Sequence, residues 1–374
     1  MSARRATRRD FLQGRAAAEH LAELAERTLD TQLGGAESPV APPYRLHLSR
    51  RAMACEFEVI LNAGIHSDAA DLAVAALDRV DELEAQLTIY RDTSELAAIN
   101  RQAATGPVAV EPRLFELFQL ASRLNAETSG AFDVTAGPLT KAWGFFTRRG
   151  AVPDAATLER ALASVGSQYL KLDEQQGTIE FARPDMELNL GAIGKGYALD
   201  RAAELLDAAG VTSYLLHGGQ SSVLARGGQA GEGEATRHWT VGLGDPARPG
   251  RRLALIDLEN QALATSGSRV QSFREGGRRY GHILDPRTGQ PAQGGVLSST
   301  VIAPSAAVAD AVSTALFILG VEGASEFCQS HAEIGAVLVT PGKAARYEVH
   351  RFGIAETQVR LAPDGDANPR DGAP

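Results

Sequence analysis

The chain predicts an α+β fold with antiparallel sheet. Segments near its start alternate in polarity, helical patterns with a single apolar face are mixed with blocks of short strands, and no strict strand–helix–strand rhythm appears. Residues 1–43 read as an appendage, with a basic start, a helical stretch to about Leu33, and a Gly/Pro linker from Gly34-Gly35 to Pro42-Pro43. The core opens at 44 with period-two alternation in Arg45–Ser49 and Cys55–Leu61, the mark of half-buried strands. After a Ser67-Asp68 cap, Leu72, Ala76, Leu77, Val80, Leu83, Leu87 and Tyr90 recur at helical spacing. Pro112 opens a second helix, with Leu114, Phe115, Leu117, Phe118 and Ala121 as its apolar face and Gly130 just past its end.

A third helix is expected from Asp154 to about Val165, then strands at Leu170–Leu172, Thr178–Phe181 and Glu187–Leu190, and a fourth helix over Lys195–Ala209. Four or five short strands should fill 213–284, interrupted by a Gly/Glu loop at 227–236. A strand at Ser298–Ala303, a helix at Ser305–Leu319 and closing strands at Gly335–Val339 and Tyr347–Arg351 complete a core ending at 361. The polar, Pro- and Gly-bearing tail 362–374 should be disordered.

At 374 residues the chain can bury a sizeable core, and 44% apolar with 22% charged residues is the balance of a soluble globular protein. Its formal charge of −9 gains nothing from a phosphate backbone, which argues against a nucleic-acid partner. Two cysteines, Cys55 and Cys328, cannot build a zinc site and read as buried thiols. No stretch approaches the roughly 18 apolar residues of a membrane span, so no transmembrane segment is expected. The start Thr7-Arg8-Arg9-Asp10-Phe11-Leu12-Gln13 is like a twin-arginine export signal, yet Glu19, His20, Glu23, Glu26 and Arg27 fall where an apolar h-region belongs. The missing h-region favours a cytoplasmic location; the arginine pair points to the cell envelope.

Three segments can carry chemistry. In Leu190-Gly191-Ala192-Ile193-Gly194-Lys195-Gly196, glycines flank a lysine between strand and helix, where free N–H groups and a helix N-terminus suit an anion. The spacing matches neither a Walker A loop nor a dinucleotide fingerprint, and a tight turn without a ligand reads equally well. In Gly281-His282-Ile283-Leu284-Asp285-Pro286-Arg287-Thr288-Gly289, a turn follows a histidine at a strand end, beside Asp285. That is a candidate general base or a structural histidine. In Ser305–Gly320, Asp310 and Thr314 lie one turn apart on a helix apolar nearly all round. A carboxylate there needs a pairing group or a cation, and hard oxygens suit Mg²⁺; a bond to a neighbouring loop is the plainer reading. A Gly-punctuated aromatic segment, Gly130–Phe145, and the small polar turns Ala264–Ser268 and His217–Gln220 also follow strands or helices at places where backbone can approach a ligand.

The order of these motifs is decisive. Met53-Ala-Cys, Tyr90-Arg-Asp-Thr-Ser94-Glu-Leu with Asn100, Gly130-Ala-Phe-Asp133-Val-Thr-Ala-Gly-Pro138-Leu, and Asn189-Leu-Gly-Ala-Ile-Gly-Lys195-Gly-Tyr-Ala-Leu-Asp200 come first. Ala264-Thr-Ser-Gly267, His282-Ile-Leu-Asp-Pro-Arg-Thr-Gly289 and Ala309-Asp310-Ala-Val-Ser-Thr314 follow. The series, from about Leu46 to Leu361, resembles the ApbE family of FAD:protein FMN transferases. The resemblance implies an ApbE-like fold, with one large catalytic unit over 44–361 and a smaller subdomain. It also implies Mg²⁺-dependent transfer of the FMN half of FAD to a Thr or Ser of an acceptor protein, with release of AMP. The acceptor would carry a flavinylation motif, as a membrane redox subunit can.

By the same resemblance Ala192 (through its carbonyl), Asp310 and Thr314 bind the metal, and Asp310 is essential to catalysis. Met53, Tyr90, Ala131, Phe132, Asp133, Asn189, Lys195 and Leu284 contact FAD, and His282 is the base for the acceptor hydroxyl. Ala307 stands where some members carry a second acidic ligand, Asn189 replaces an aspartate, and His217-Gly-Gly-Gln220 departs from the usual turn. These departures keep two alternatives open: an FAD pyrophosphatase giving FMN and AMP, and a flavin binder without activity.

Overall fold

Successive apolar residues of the central strands point to opposite faces, and the computed structural model shows that both faces are covered. It describes residues 45–62, 67–229, 238–246, 248, 250–267, 272–342 and 347–362; the expected N-terminal arm and linker, and the expected C-terminal tail from 363 on, lie outside them. The strands are β1 (Arg45–Ala52), β2 (Cys55–Asn62), β3 (Val108–Ala109), β4 (Leu170–Asp173), β5 (Thr178–Phe181), β6 (Tyr214–Gly218), β7 (Ser222–Arg226) and β8 (Trp239–Gly244). They continue with β9 (Arg252–Leu258), β10 (Ala262–Gly267), β11 (Ser272–Glu275), β12 (Arg278–Gly281), β13 (Ser298–Ala303), β14 (Gly335–Pro341), β15 (Tyr347–Phe352) and β16 (Val359–Leu361). The helices are α1 (Ala69–Leu87), α2 (Glu95–Gln102), α3 (Pro112–Glu127), α4 (Gly137–Ala142), α5 (Ala155–Ala163), α6 (Gly194–Ala208) and α7 (Ala306–Ser330).

An antiparallel sheet of order β1-β2-β6-β7-β10-β13-β14-β15 forms the centre. On one face Phe57, Val59, Leu61, Leu216, Leu224, Ala264, Val301, Ala336 and Leu338 pack with the apolar sides of α1, α3, α6 and α7. The intervening residues Ile60, Leu215, Val223, Ala225, Leu263, Ile302 and Val337 face the other way, onto Trp239, Val241, Ile256, Leu258 and Val359 of the small sheet β16-β9-β8. Side chains alternate with period two, so a one-residue slip in any strand would exchange these cores; the register is held from both sides. A third, smaller core joins Leu139, Trp143, Phe145, Val165 and Leu284 to Phe273 and Tyr280 of the hairpin β11–β12.

Several sequence-based boundaries shift. Among its described residues the 213–284 region holds seven strands rather than four or five; β11 and β12 escape the reading because they are only four residues each and together carry more arginine than apolar residues. Glu187–Leu190 is not a strand but a single parallel bridge from Glu187 to Ala136. Tyr90 lies beyond the end of α1 and is 65% exposed, stacking on Phe146 at 4.8 Å, so it does not extend the helix's buried stripe. Helix α2, capped by the Ser94 hydroxyl on the Ala97 N–H, escapes the periodicity reading because it spans eight residues.

Helix α7 breaks at Gly320 (φ 78°), just past the expected end at Leu319, and resumes to Ser330. By length and apolar content α7 alone, among the described residues, could cross a membrane, contrary to the reading of the sequence. Two-thirds of its most apolar window (67%) is buried inside the fold, where it serves as the central core helix.

Candidate active site

The three cores meet around a cavity of about 1230 Å³, walled by Leu190 from the first, Val223, Val241 and Leu263 from the second, and Phe145 and Leu284 from the third. Every residue the resemblance implied for the site faces it: Met53, Tyr90, Ala131, Phe132, Asp133, Asn189, Ala192, Lys195, His282, Leu284, Asp310 and Thr314. They come from positions up to 261 residues apart (314 − 53) and converge only through the sheet order.

Asp310 sits in the first half of α7 and is 5% exposed. A carboxylate so buried must be satisfied, and it is. Its Oδ2 accepts the Gly196 N–H at 2.7 Å, its Oδ1 accepts the Ser222 hydroxyl at 2.6 Å, and Lys195 Nζ stands 3.6 Å from Oδ2. The N–H of Gly196 belongs to the first turn of α6, whose donors have no partner within the helix, so the carboxylate also meets the positive end of the helix dipole. The plainer expectation, a bond to a neighbouring element, therefore holds together with a place on the cavity wall. Gly196 is what lets the helices come this close: a Cβ there would lie 2.0 Å from the carbonyl oxygen of Ala306. Asp200 caps the other helix, accepting the Ser305 hydroxyl and the N–H groups of Ala306 and Ala307 at 2.7–2.9 Å.

Beside Asp310, the Thr314 and Ser266 hydroxyls are 3.0 Å apart, and Ser266 also meets Ser313 at 2.9 Å. Ala307 is buried at the α6–α7 contact, so Asp310 is the carboxylate of this oxygen cluster. The Asn189 side chain accepts the Gly191 N–H at 2.8 Å, closing the turn that presents Ala192 and Lys195. That acceptor role is one an aspartate would fill in the same way. The segment is clipped from behind by Asn100, which exchanges two hydrogen bonds with the Leu188 backbone at 2.8 and 3.0 Å.

The Asp133 side chain is committed elsewhere. Its two oxygens accept five hydrogen bonds, one from Asn125 and two each from Thr135 and Ser167, at 2.7–3.1 Å. It holds the loop that carries Ala131 and Phe132 to the cavity. Met53 and Ala54 form the two-residue turn between β1 and β2, both with left-handed backbone (φ 48° and 62°). Such turns favour Asn-Gly; two side-chain-bearing residues other than Asn there are strain stored at the cavity wall.

His282 leaves β12 and meets the Phe145 ring edge-on at a centroid distance of 6.4 Å. Both oxygens of its chain neighbour Asp285 accept from the Arg287 guanidinium at 2.8–2.9 Å. The turn after His282 is pinned where Trp143 Nε1 donates to the Gly289 carbonyl at 2.8 Å.

Cys55 also lines the cavity, and burial pushes its thiol pKa up from the ordinary value. Ser222 and the pairing of Ser266 with Thr314 went unassigned in the sequence. The available signal was a serine inside the otherwise apolar strand Ser222-Val-Leu-Ala, a polar group that must find a partner when buried.

A buried carboxylate, a hydroxyl pair, a lysine at a helix N-terminus and a histidine around one large cavity define an enzyme built to handle a phosphorylated ligand. The chain belongs to the ApbE family, whose model matches residues 53–338. The FAD:protein FMN transferase of Klebsiella pneumoniae (strain 342) is 34% identical over 72% of this chain and 76% of that protein. The FAD:protein FMN transferase of Treponema pallidum (strain Nichols) is 35% identical over 73% and 79%. Among solved structures, the ApbE protein from Thermotoga maritima superposes with a TM-score of 0.73 at 28% identity, covering 82% of this chain and 96% of that one. The flavin transferase ApbE from Vibrio cholerae gives 0.72 at 28% identity, covering 83% and 98%.

Proposed function

We propose that this protein binds FAD in the three-core cavity and transfers its FMN half to a threonine or serine hydroxyl of an acceptor protein, releasing AMP. The observation that carries the reading is the convergence of Asp310, Thr314, Ser266, Lys195 and His282 on one cavity. Its volume of about 1230 Å³ exceeds the roughly 300–1,000 Å³ of ordinary ligand pockets, leaving room for an acceptor side chain beside the nucleotide.

A threonine hydroxyl is a weak nucleophile at neutral pH. His282 accepts its proton as the oxygen bonds to the phosphorus of the FMN half. The bond from that phosphorus to the bridging oxygen breaks, and AMP leaves with the electron pair. Lys195, at the start of α6, places positive charge and a helix N-terminus against the pyrophosphate. Leu284, Phe132 and Phe145 supply apolar surface for a flat ring.

The oxygen cluster fits Mg²⁺ by chemistry: one buried carboxylate, the Thr314 and Ser266 hydroxyls, and the Ala192 carbonyl in the adjoining turn are hard ligands. A cation that keeps several waters and shares substrate phosphates needs only one or two carboxylates. Bound there, Mg²⁺ would neutralise charge on the pyrophosphate. Lacking a second acid at Ala307, the site should hold it more weakly than a two-carboxylate site.

Incubation with FAD, Mg²⁺ and a peptide of the Asp-x-Ser/Thr-Gly-Ala-Thr type, followed by mass spectrometry, tests the proposal. Covalent FMN on the peptide supports it. Free FMN alone would replace it with a pyrophosphatase, and intact FAD with a binding protein.

A further inference from the structure

The small sheet ends in a strand that runs along the cavity. Its order is β16-β9-β8, so among the described residues β8 has a partner strand on one side alone, and Val241 to Pro246 all line the cavity. The register shows which of its backbone groups are left open. Trp239 lies opposite Leu258, Val241 opposite Ile256 and Leu243 opposite Ala254. On β9 the Asp257 N–H donates to the Gln358 carbonyl at 3.0 Å, and the Leu253 carbonyl accepts from Ala362 at 2.9 Å, both on the β16 side. Successive residues of an antiparallel ladder turn their N–H and C=O groups to alternate sides, so Ala254, Ile256 and Leu258 bond Leu243, Val241 and Trp239. The Asp245 N–H, donating to the Arg251 carbonyl at 2.9 Å, carries the same alternation past the irregularity at Leu243/Gly244. Thr240, Gly242 and Gly244 therefore turn their N–H and C=O groups outward, where no backbone of the described residues meets them.

Open strand edges are usually blunted by lysine, proline or a bulge that twists them away. Here two of the three outward residues are glycines, both exposed, and a Cβ on Gly244 would meet nothing within 4 Å. Glycine inside a strand often marks the close approach of a ligand or another backbone. The wall toward the central sheet is also incomplete. Ser298 shares a strand face with Ile302, which packs toward the small sheet, and it lines the same cavity at 5% exposure. Its hydroxyl has no hydrogen-bond partner among the described residues, although a buried hydroxyl needs one.

We infer that the acceptor polypeptide docks by adding an extended, antiparallel strand to the free edge of β8. This rests on the transferase reading above. Cross-strand neighbours share a face, so a threonine opposite Leu243 turns its side chain inward with Leu243, into the cavity that Ser298 borders. Its two chain neighbours then lie opposite Gly242 and Gly244, exchange backbone hydrogen bonds with them and point their side chains to solvent. An outward N–H and C=O pair at every second residue matches an extended peptide, not the single flat ring of a flavin. Recognition by this edge uses the main chain, with the inward side chain read by the cavity.

Two measurements on FAD-loaded wild-type protein test this. In the first, peptides of the Asp-x-Ser/Thr-Gly-Ala-Thr type are N-methylated on the backbone, either at the accepting residue or at both of its neighbours. Methylating the neighbours should raise KM about tenfold, as for two backbone hydrogen bonds lost, and methylating the accepting residue should change it less than about twofold. The second is amide exchange, with a peptide carrying valine at the accepting position as an unreactive probe. The Gly242 and Gly244 N–H groups should exchange fast with FAD alone and slow at least about tenfold when the probe binds, while Val241 and Leu243 stay slow throughout. Equal or larger KM losses from methylation at the accepting residue overturn the docking edge while the transferase reading stands. So do glycine amides already protected with FAD alone, and glycine amides that still exchange freely at saturating probe. Protein that cleaves FAD yet flavinylates no peptide removes the transferase reading and this inference together.

Discussion

Asp310 has two duties that its variants should separate. As a hydrogen-bond acceptor it satisfies the Gly196 N–H and the Ser222 hydroxyl; as the carboxylate of an oxygen cluster it would hold a cation. Asp310→Asn keeps a similar shape and one acceptor but removes the charge, so turnover should fall at least about 100-fold while the fold survives. Asp310→Ala should also lower stability, by about 1–3 kcal/mol for each buried donor left unpaired. Turnover and thermal midpoint of both variants check this; wild-type turnover in Asp310→Asn would sink the metal assignment. His282→Ala should cut transfer far more than FAD affinity, measured by flavin fluorescence titration, and equal losses would mark His282 as a binding group. Cys55 gives a pH test. Burial raises its folded pKa above the ordinary 9.0, so the thiol form persists through neutral pH and the reactive thiolate appears only at more alkaline pH than for a free cysteine. Iodoacetamide labelling should therefore be slow at pH 7–8, accelerate above about pH 9, and be blocked by FAD; fast labelling at pH 7 would contradict the burial argument.

At the scale of elements, the contact between α6 and α7 decides whether the site exists. Gly196→Ala sets a methyl group against the Ala306 carbonyl, backbone that cannot swing aside. It should cost about 1–3 kcal/mol as an overpacked contact and lengthen the Gly196–Asp310 bond, lowering both midpoint and turnover. A midpoint within error of wild type would show that the helices part without penalty. Much of this scale was legible in the sequence: Pro112 at the first turn of α3, Asp154 capping α5, and period-two alternation in β1 and β2 all stand where local chemistry put them. Tyr90 and Glu187–Leu190 were misplaced because helical spacing and apolar content continue past the point where tertiary contacts end the element. The hairpin β11–β12 was hidden for the opposite reason: its strands are held by packing on Trp143 and Phe145, not by their own composition.

For the whole molecule, a ligand in a cavity walled by three cores should stabilise all of them. FAD with Mg²⁺ should raise the thermal midpoint by several degrees, since ligand at about 100 times Kd adds roughly 2.7 kcal/mol. EDTA should remove the magnesium-dependent part, and a midpoint indifferent to both would place FAD elsewhere. The sequence by itself determined the residue types, their order along the chain and the faces they take on strands and helices, because alternation, helical spacing and caps are local. It therefore marked Asp310 and Thr314 as a polar pair on an apolar helix. Only the tertiary structure decided which groups answer that buried carboxylate: the Gly196 N–H and the Ser222 hydroxyl, 114 and 88 residues away, with Lys195 beside them. It also decided that Asp133 ties its own loop to Ser167, 34 residues on. A buried charge needs partners, yet nothing in the local chain says which; the order of strands in the sheet brings them within reach.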